Sequence, residues 1–438
     1  MRVNSNLRND RLSHPVRRAA GPLQRLAPCP GFHARPDPAL TTPRSAAYCG
    51  ICVVLAYFVR GTVLPSFLPI PDLAFTFLCG LSVLAASALV IANGGPWRCS
   101  WLIVLSAFAL SLCNAEYFAT AALHWASLAL LIASLGPLVM NPSAVALRST
   151  AWTLILTGST SLTALFVLWY LLRLPSFGAG AFSAFLNHCM LMGPLCGIGV
   201  SIAAARALHR RSWLWALLAL LGMLPLIASG SRVATLAALG ALSFLLVRRK
   251  PLAGLGFLFL CAALIALFVS GGRVPDGPPE SLTGAMMEKG VLNSRADYWA
   301  SRLSEFRASP FCGIGIMMAT GSGADVGKDG KLLVEPGSSY LSLVAMTGTL
   351  GALSFCLALA PLLFRFALSP PSAPLDKDIL TAVGIYLAIH ANAEGWLLAF
   401  GSPMCALFWL WLGQVGRPAD RSAPRRQLCL SACRDRLP

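Results

Sequence analysis

The sequence predicts an all-α membrane protein. It has about twelve transmembrane helices and one large external loop carrying short helices. Three observations lead there. Hydrophobic residues make up 56% of the 438 residues and charged residues only 12%, with a mean hydropathy of +0.69. A soluble protein of that composition would expose large apolar patches. Apolar stretches recur from about residue 46 to 415, and the exception, residues 271–338, holds eight of the 17 acidic residues. Basic residues recur at every second boundary between stretches.

The stretches centre on residues 46–60, 73–92, 99–114, 118–136, 152–172, 187–205, 213–229, 232–247, 252–270, 339–366, 379–393 and 397–415. Backbone N–H groups in hydrocarbon need internal partners, so these segments read as helices. The chain divides into a disordered basic tail (1–45), helices 1–9 (46–270), the polar loop (271–338), helices 10–12 (339–415) and a second basic tail (416–438).

The net charge of +17 raises the thought of nucleic acid, but its placement argues against it. With the N-terminus inside and twelve spans, Arg98, Arg148, Arg206-Ala-Leu-His-Arg-Arg211, Arg248-Arg-Lys250, Arg365, Lys377 and both tails fall on the cytoplasmic side. Asp72, Glu116, the polar loop and Glu394 fall on the other. This is the positive-inside pattern. It makes the basic excess a topological signal and a contact for anionic headgroups. Both termini are then cytoplasmic and the 271–338 loop is periplasmic in a bacterial inner membrane. The 14 cysteines show no zinc spacing, and Cys312 is alone in the loop.

Within the loop, Ser294-Arg-Ala-Asp297 fits a helix start. Trp299, Leu303 and Phe306 then fall at helical spacing and predict one apolar stripe, bordered by Arg295 and Arg302. Ser309-Pro310 ends this helix, and six glycines from Gly313 to Gly330 predict a mobile connection before re-entry near Glu335-Pro-Gly-Ser-Ser-Tyr340.

Few residues in this pattern suit chemistry. Arg232 stands in a tight external turn beside Ser229, Gly230 and Ser231, where helix-end N–H groups and a guanidinium suit a phosphate. Arg295 sits at a helix start, where the dipole disfavours it. His390 and Glu394 are four apart and share a face on a continuing helix, with Asn392 between them and Trp396 beyond. Asn187 and His188 open the sixth span on the same side. Two patterns are set aside. Gly323–Lys328 has P-loop character but the wrong spacing. Asp376-Lys377-Asp378 reads as a solvated cytoplasmic turn.

Four segments together resemble the O-antigen ligase and polysaccharide polymerase superfamily of bacterial inner membranes. They are SGSRVATLAALGALSFLL (229–246), NSRADYWASRLSEFRASPFCGIGI (293–316), EPGSSYLSLVAMTGTLGALSF (335–355) and HANAEGWLLAFGSPMCALFWLWLG (390–413). The likeness covers roughly residues 185–413. It implies a glycosyltransferase independent of metals and cofactors. Such an enzyme takes a glycan from a polyprenyl-diphosphate lipid to a glycan or lipid-linked acceptor. In those terms Arg232 and Arg295 resemble the arginines that hold the diphosphate. The histidine that ligases carry before the tenth span is missing here, which favours a polymerase over a ligase. It leaves Glu394 and Glu335 as the carboxylates for the base. Tyr298, Trp299 and Tyr340 offer aromatic faces on which sugars could stack, with core packing as the alternative. A transporter or a non-catalytic scaffold are the rival classes; charge-free midspans argue against transport.

Overall fold

The computed structural model of the chain describes residues 43–62, 72–177, 182–186, 188–259, 293–320, 324–326, 332–334, 337–369 and 374–417. All lie in one compact unit, Thr41–Pro438. The basic tails up to residue 42 and beyond 417, Asn187, Glu335, most of the ninth expected span and residues 271–292 of the loop lie outside the described residues.

The helices, in chain order, are α1 (Pro43–Gly61), α2 (Asp72–Ala92), α3 (Cys99–Leu110), α4 (Phe118–Ser134), α5 (Pro142–Leu171), α6 (Cys189–Arg210), α7 (Trp213–Ala228) and α8 (Arg232–Arg249). After these come α9 (Asn293–Ala308), α10 (Ser339–Leu368), α11 (Pro374–His390) and α12 (Pro403–Val415). Three helical stretches, Pro142–Leu171, Met190–Arg210 and Ser339–Leu368, are long and apolar enough to cross a bilayer. Five shorter apolar helices accompany them among the described residues. Apolar side chains also face outward: Phe77, Leu123, Leu220 and Phe364 each stay about two-thirds exposed. That suits a lipid surround rather than water. α6 is the hub, packing against α5, α7, α8 and α11, while α1 packs on α2 and α5.

Caps explain several boundaries. Asn141 accepts from the Ala144 N–H at 2.7 Å, with Pro142 at the first helical position of α5. Ser402 caps α12 in the same way, followed by Pro403. The expected fifth span begins at residue 152, yet α5 starts ten residues earlier because this cap, not the apolar pattern, sets its start.

α10 is broken at Gly348, whose φ of 65° and ψ of −173° lie outside the helix. The break exposes backbone groups that an apolar setting cannot leave bare. The segment after α9 satisfies them. Ile314 and Gly315 donate to the Ala345 and Met346 carbonyls at 3.1 Å each, and Thr349 and Leu350 donate to Pro310 and Phe311. The backbones touch so closely that a Cβ on Gly313 would collide with the Met346 carbonyl, and one on Gly348 with the Phe311 carbonyl. Here glycine is needed both for φ and for contact.

Four expectations need correction. Leu303 is exposed, and the buried positions of α9 are Arg302 and Glu305. They form an ion pair at 3.1 Å. Arg302 donates to the Met318 carbonyl at 3.1 Å, and Glu305 accepts from the Thr320 N–H and hydroxyl. The polar pair, not an apolar stripe, ties α9 to the returning segment. Burial lowers the Arg302 pKa, and Glu305 opposes that. Second, the glycine-rich connection contains an antiparallel pairing, Ala324–Val326 with Leu332–Val334. Third, Asp378 is buried rather than solvated, because Arg249 and Arg248 pair with it. Fourth, His390 and Glu394 do not continue one helix. α11 stops at His390, and Asn392 and Ala393 bond back only three residues, to Ile389 and His390.

Two ends of the bundle differ. At one, Arg249 meets both Asp378 and His209, Arg98 donates to the Gly416 carbonyl, and Arg148 is buried. Arg148 donates to the carbonyls of Ala133, Ser134 and Val139, which closes the end of α4. Arg98 and Arg148 thus serve the fold and not only headgroups. At the other end converge the last turn of α1, the starts of α6, α10 and α12, the end of α11, and α9.

Candidate functional site

That second end encloses a cavity of about 400 Å³, whose lining includes Arg60, His188, Arg295, His390, Glu394 and Trp396. A smaller one of about 180 Å³ lies at the opposite end between Arg248, Arg249 and Asp378, where the arginines are already engaged by the carboxylate.

Arg295 and Glu394, 99 residues apart in the chain, meet in the larger cavity at 2.7 Å (Nη2 to Oε1). Both are only part-exposed, at 15% and 20%. Pairing in such a setting is worth more than on an open surface. Glu394 is fixed from behind. Ser339, the first residue of α10, donates its hydroxyl to the Glu394 carbonyl at 2.6 Å and accepts from the N–H groups of Trp396 and Leu397. The Ser339 N–H reaches the Ala391 carbonyl at 2.9 Å. One serine therefore shapes the 391–397 turn that carries the carboxylate.

His390 is buried, with 2% exposure. Trp396 donates its indole N–H to His390 Nδ1 at 2.9 Å, and Tyr386 stacks on the imidazole at 5.7 Å between centroids. His188 caps α6, its Nδ1 accepting from the Met190 N–H at 3.0 Å.

The structure brings together Arg295, Glu394, His390 and His188. Arg232 stands outside this set. It begins α8, next to a Ser229–Ser231 turn pressed so tightly on α6 that a Cβ on Gly193 would lie 2.6 Å from Ser231 Cβ. The neighbouring Pro194 lines the cavity and Arg232 does not. Nor do the three aromatic residues line it. Trp299 donates to the Gly337 carbonyl at 3.2 Å. Tyr298 packs its Cβ against Gly337. Tyr340 donates to the Ala388 carbonyl at 2.9 Å. They brace α9, α10 and α11 against one another. Asn187 and Glu335 lie outside the described residues.

Arg60 is the residue that sequence reasoning missed. It ends α1, donates to the Gly401 carbonyl and presents its guanidinium where a Cβ on Gly401 would stand. Tyr57, one turn earlier, donates to the Phe400 carbonyl at 2.7 Å. The signal was available. A lone arginine at the end of the first span, on the face opposite the basic runs, breaks the positive-inside pattern. Among the described residues no group of three or more His, Cys, Asp or Glu is placed to hold a metal ion.

Apolar helices around a polar, arginine-bearing cavity at one end are the architecture of an integral-membrane protein. Residues 215–356 match the family model described as O-Antigen ligase (Wzy_C). The matched segment spans α7 to the first half of α10, about a third of the chain, and supports the likeness to the O-antigen ligase/polymerase superfamily. The family is of membrane enzymes with glycosyltransferase-like activity on lipid-linked glycans. No curated protein matches the chain.

Proposed function

We propose that the protein polymerises glycan repeats carried on a polyprenyl diphosphate, at the periplasmic face of a bacterial inner membrane. The observation that carries this is the Arg295–Glu394 pair in the cavity. A guanidinium of the kind that suits a phosphate and a carboxylate that could take a proton, 2.7 Å apart, support this reading.

The leaving group is a lipid diphosphate, which gains negative charge as the sugar–oxygen bond breaks. Arg295 stabilises that charge more in the transition state than in the ground state. A planar guanidinium has five N–H donors, so it serves the carboxylate and a phosphate together. Glu394 accepts the proton of the attacking hydroxyl, and direct displacement inverts the anomeric centre. The donor arrives activated on its lipid and calls for no nucleotide. Arg232, which begins α8 outside the cavity lining, would hold the diphosphate from the lipid side. The polymerase is favoured over a ligase because the segment 335–340 has no histidine.

The test is the surface glycan of a deletion strain complemented with variants. Wild type restores long polymer. Arg295→Ala and Arg232→Ala give single repeats while the protein stays in the membrane. Arg295→Lys rescues in part, because an ammonium lacks the planar fork. Glu394→Gln accumulates lipid-linked repeat, whereas Glu335→Gln makes polymer. Normal polymer from Glu394→Gln together with none from Glu335→Gln would move the base role to the loop carboxylate. Uncapped core lipid with no loss of lipid-linked polymer in the deletion strain would favour the ligase.

A further inference from the structure

We infer that His390 is a hydrogen-bond donor to the diphosphate of the lipid-linked substrate, through an Nε2–H whose tautomer Trp396 fixes. The inference rests on the cavity's being the donor-substrate site, and it assigns His390 a role other than base.

The chemistry starts at the indole. A tryptophan N–H can only donate, so its partner must be an unprotonated nitrogen. Trp396 donates to His390 Nδ1 at 2.9 Å, which leaves the single proton of the neutral ring on Nε2. That nitrogen is buried with no hydrogen-bond partner among the described residues, on a side chain that lines the cavity. An unmet buried donor is costly, on the order of 1–3 kcal/mol, and the side chain that carries it belongs to the cavity lining. The ring cannot swing to another partner. Tyr386 stacks on it with an interplanar angle of 19°, and the Trp396 ring lies 6.2 Å from it at 34°.

The neighbours say what the donor meets. His188 also lines the cavity, and its Nδ1 accepts from the Met190 N–H. With Arg60 and Arg295, the cavity wall carries two guanidiniums and two imidazole N–H groups against one carboxylate, Glu394. Such a donor excess suits an oxyanion more than a sugar ring, whose hydroxyls need donors and acceptors alike. Trp396 touches no substrate in this scheme and is a positioning residue.

The experiment is ¹⁵N NMR of histidine-labelled protein in detergent, titrated with farnesyl diphosphate, with the His390 signals assigned by their loss in His390→Gln. We expect wild type to show a protonated Nε2 and a hydrogen-bonded, unprotonated Nδ1, and farnesyl diphosphate to shift Nε2. Trp396→Phe keeps an aromatic ring and removes the N–H. It should mix or invert the tautomers and weaken farnesyl diphosphate binding by about tenfold. His390→Gln, which keeps an N–H donor, should bind more tightly than His390→Leu. Equal affinity in His390→Gln, His390→Leu and wild type, or a proton on Nδ1 in wild type, overturns the inference. Binding that depends on Arg295 but leaves the His390 signals still would overturn it and spare the proposed function. No binding of farnesyl diphosphate by wild type, with the tautomer as stated, removes both.

Discussion

Arg302 and Glu305 make the sharpest residue-scale test of the fold. Both are buried in α9, and removing either partner strands a charge, at a cost of about 3–5 kcal/mol. Glu305→Gln and Arg302→Met should therefore each lower the unfolding midpoint of the purified protein by many degrees. The double substitution Arg302→Met, Glu305→Leu should recover most of that loss, because two apolar side chains leave no orphan charge. A thermal melt in detergent reads the result, and unchanged single variants would remove the pair from the account. At this scale the sequence was partly legible. Glu394, His390 and His188 were singled out at span boundaries, where ionisable groups are expensive, and Arg295 at a helix start, where the dipole disfavours it; the structure brings the four to one cavity. The Arg302–Glu305 pair was not, because an i,i+3 pair on a loop helix looks like solvated surface until the partners Met318 and Thr320 are seen. Arg60 broke the charge pattern in the sequence, but its partner, Gly401, lies 341 residues away and only the structure shows it.

At the scale of elements, the broken α10 and the turn after α9 are one device. Gly313 and Gly348 both have positive φ, and at both a side-chain methyl would collide with the backbone of the facing segment. Ala at either position adds left-handed strain to a steric clash. Gly348→Ala and Gly313→Ala should reduce the folded yield in membranes strongly, whereas Gly80→Ala, in open space on α2, should leave it unchanged. Fluorescence-detected size exclusion of tagged variants makes the comparison. Equal yields would mean that the loop and the helix break do not depend on each other. The glycines were visible in the sequence, but spacing alone read them as a mobile connection. The hydrogen bonds that pair Ile314 with Ala345 and Thr349 with Pro310 join segments more than 30 residues apart, and local periodicity does not report such pairing. Helix existence was legible nearly throughout. Boundaries followed caps such as Asn141 and Ser402, and the end of α11 at His390 followed a tight turn.

For the molecule as a whole, Arg98, Arg148, Arg248 and Arg249 lie at one end of the described helices and the cavity at the other, and the positive-inside pattern predicts that the first end is cytoplasmic. Reporter fusions should place Gly323 outside the cytoplasm and Arg249 within it. A cytoplasmic signal at Gly323 would put the cavity on the wrong face for lipid-linked repeats. The most direct measurement of the central claim is turnover by the purified protein in liposomes supplied with a lipid-linked glycan repeat. The account predicts one polyprenyl diphosphate released for every glycosidic bond formed, and a loss of about 10²–10³ in rate for Arg295→Ala. Equal rates for wild type and Arg295→Ala, or bond formation without release of the lipid diphosphate, would contradict it.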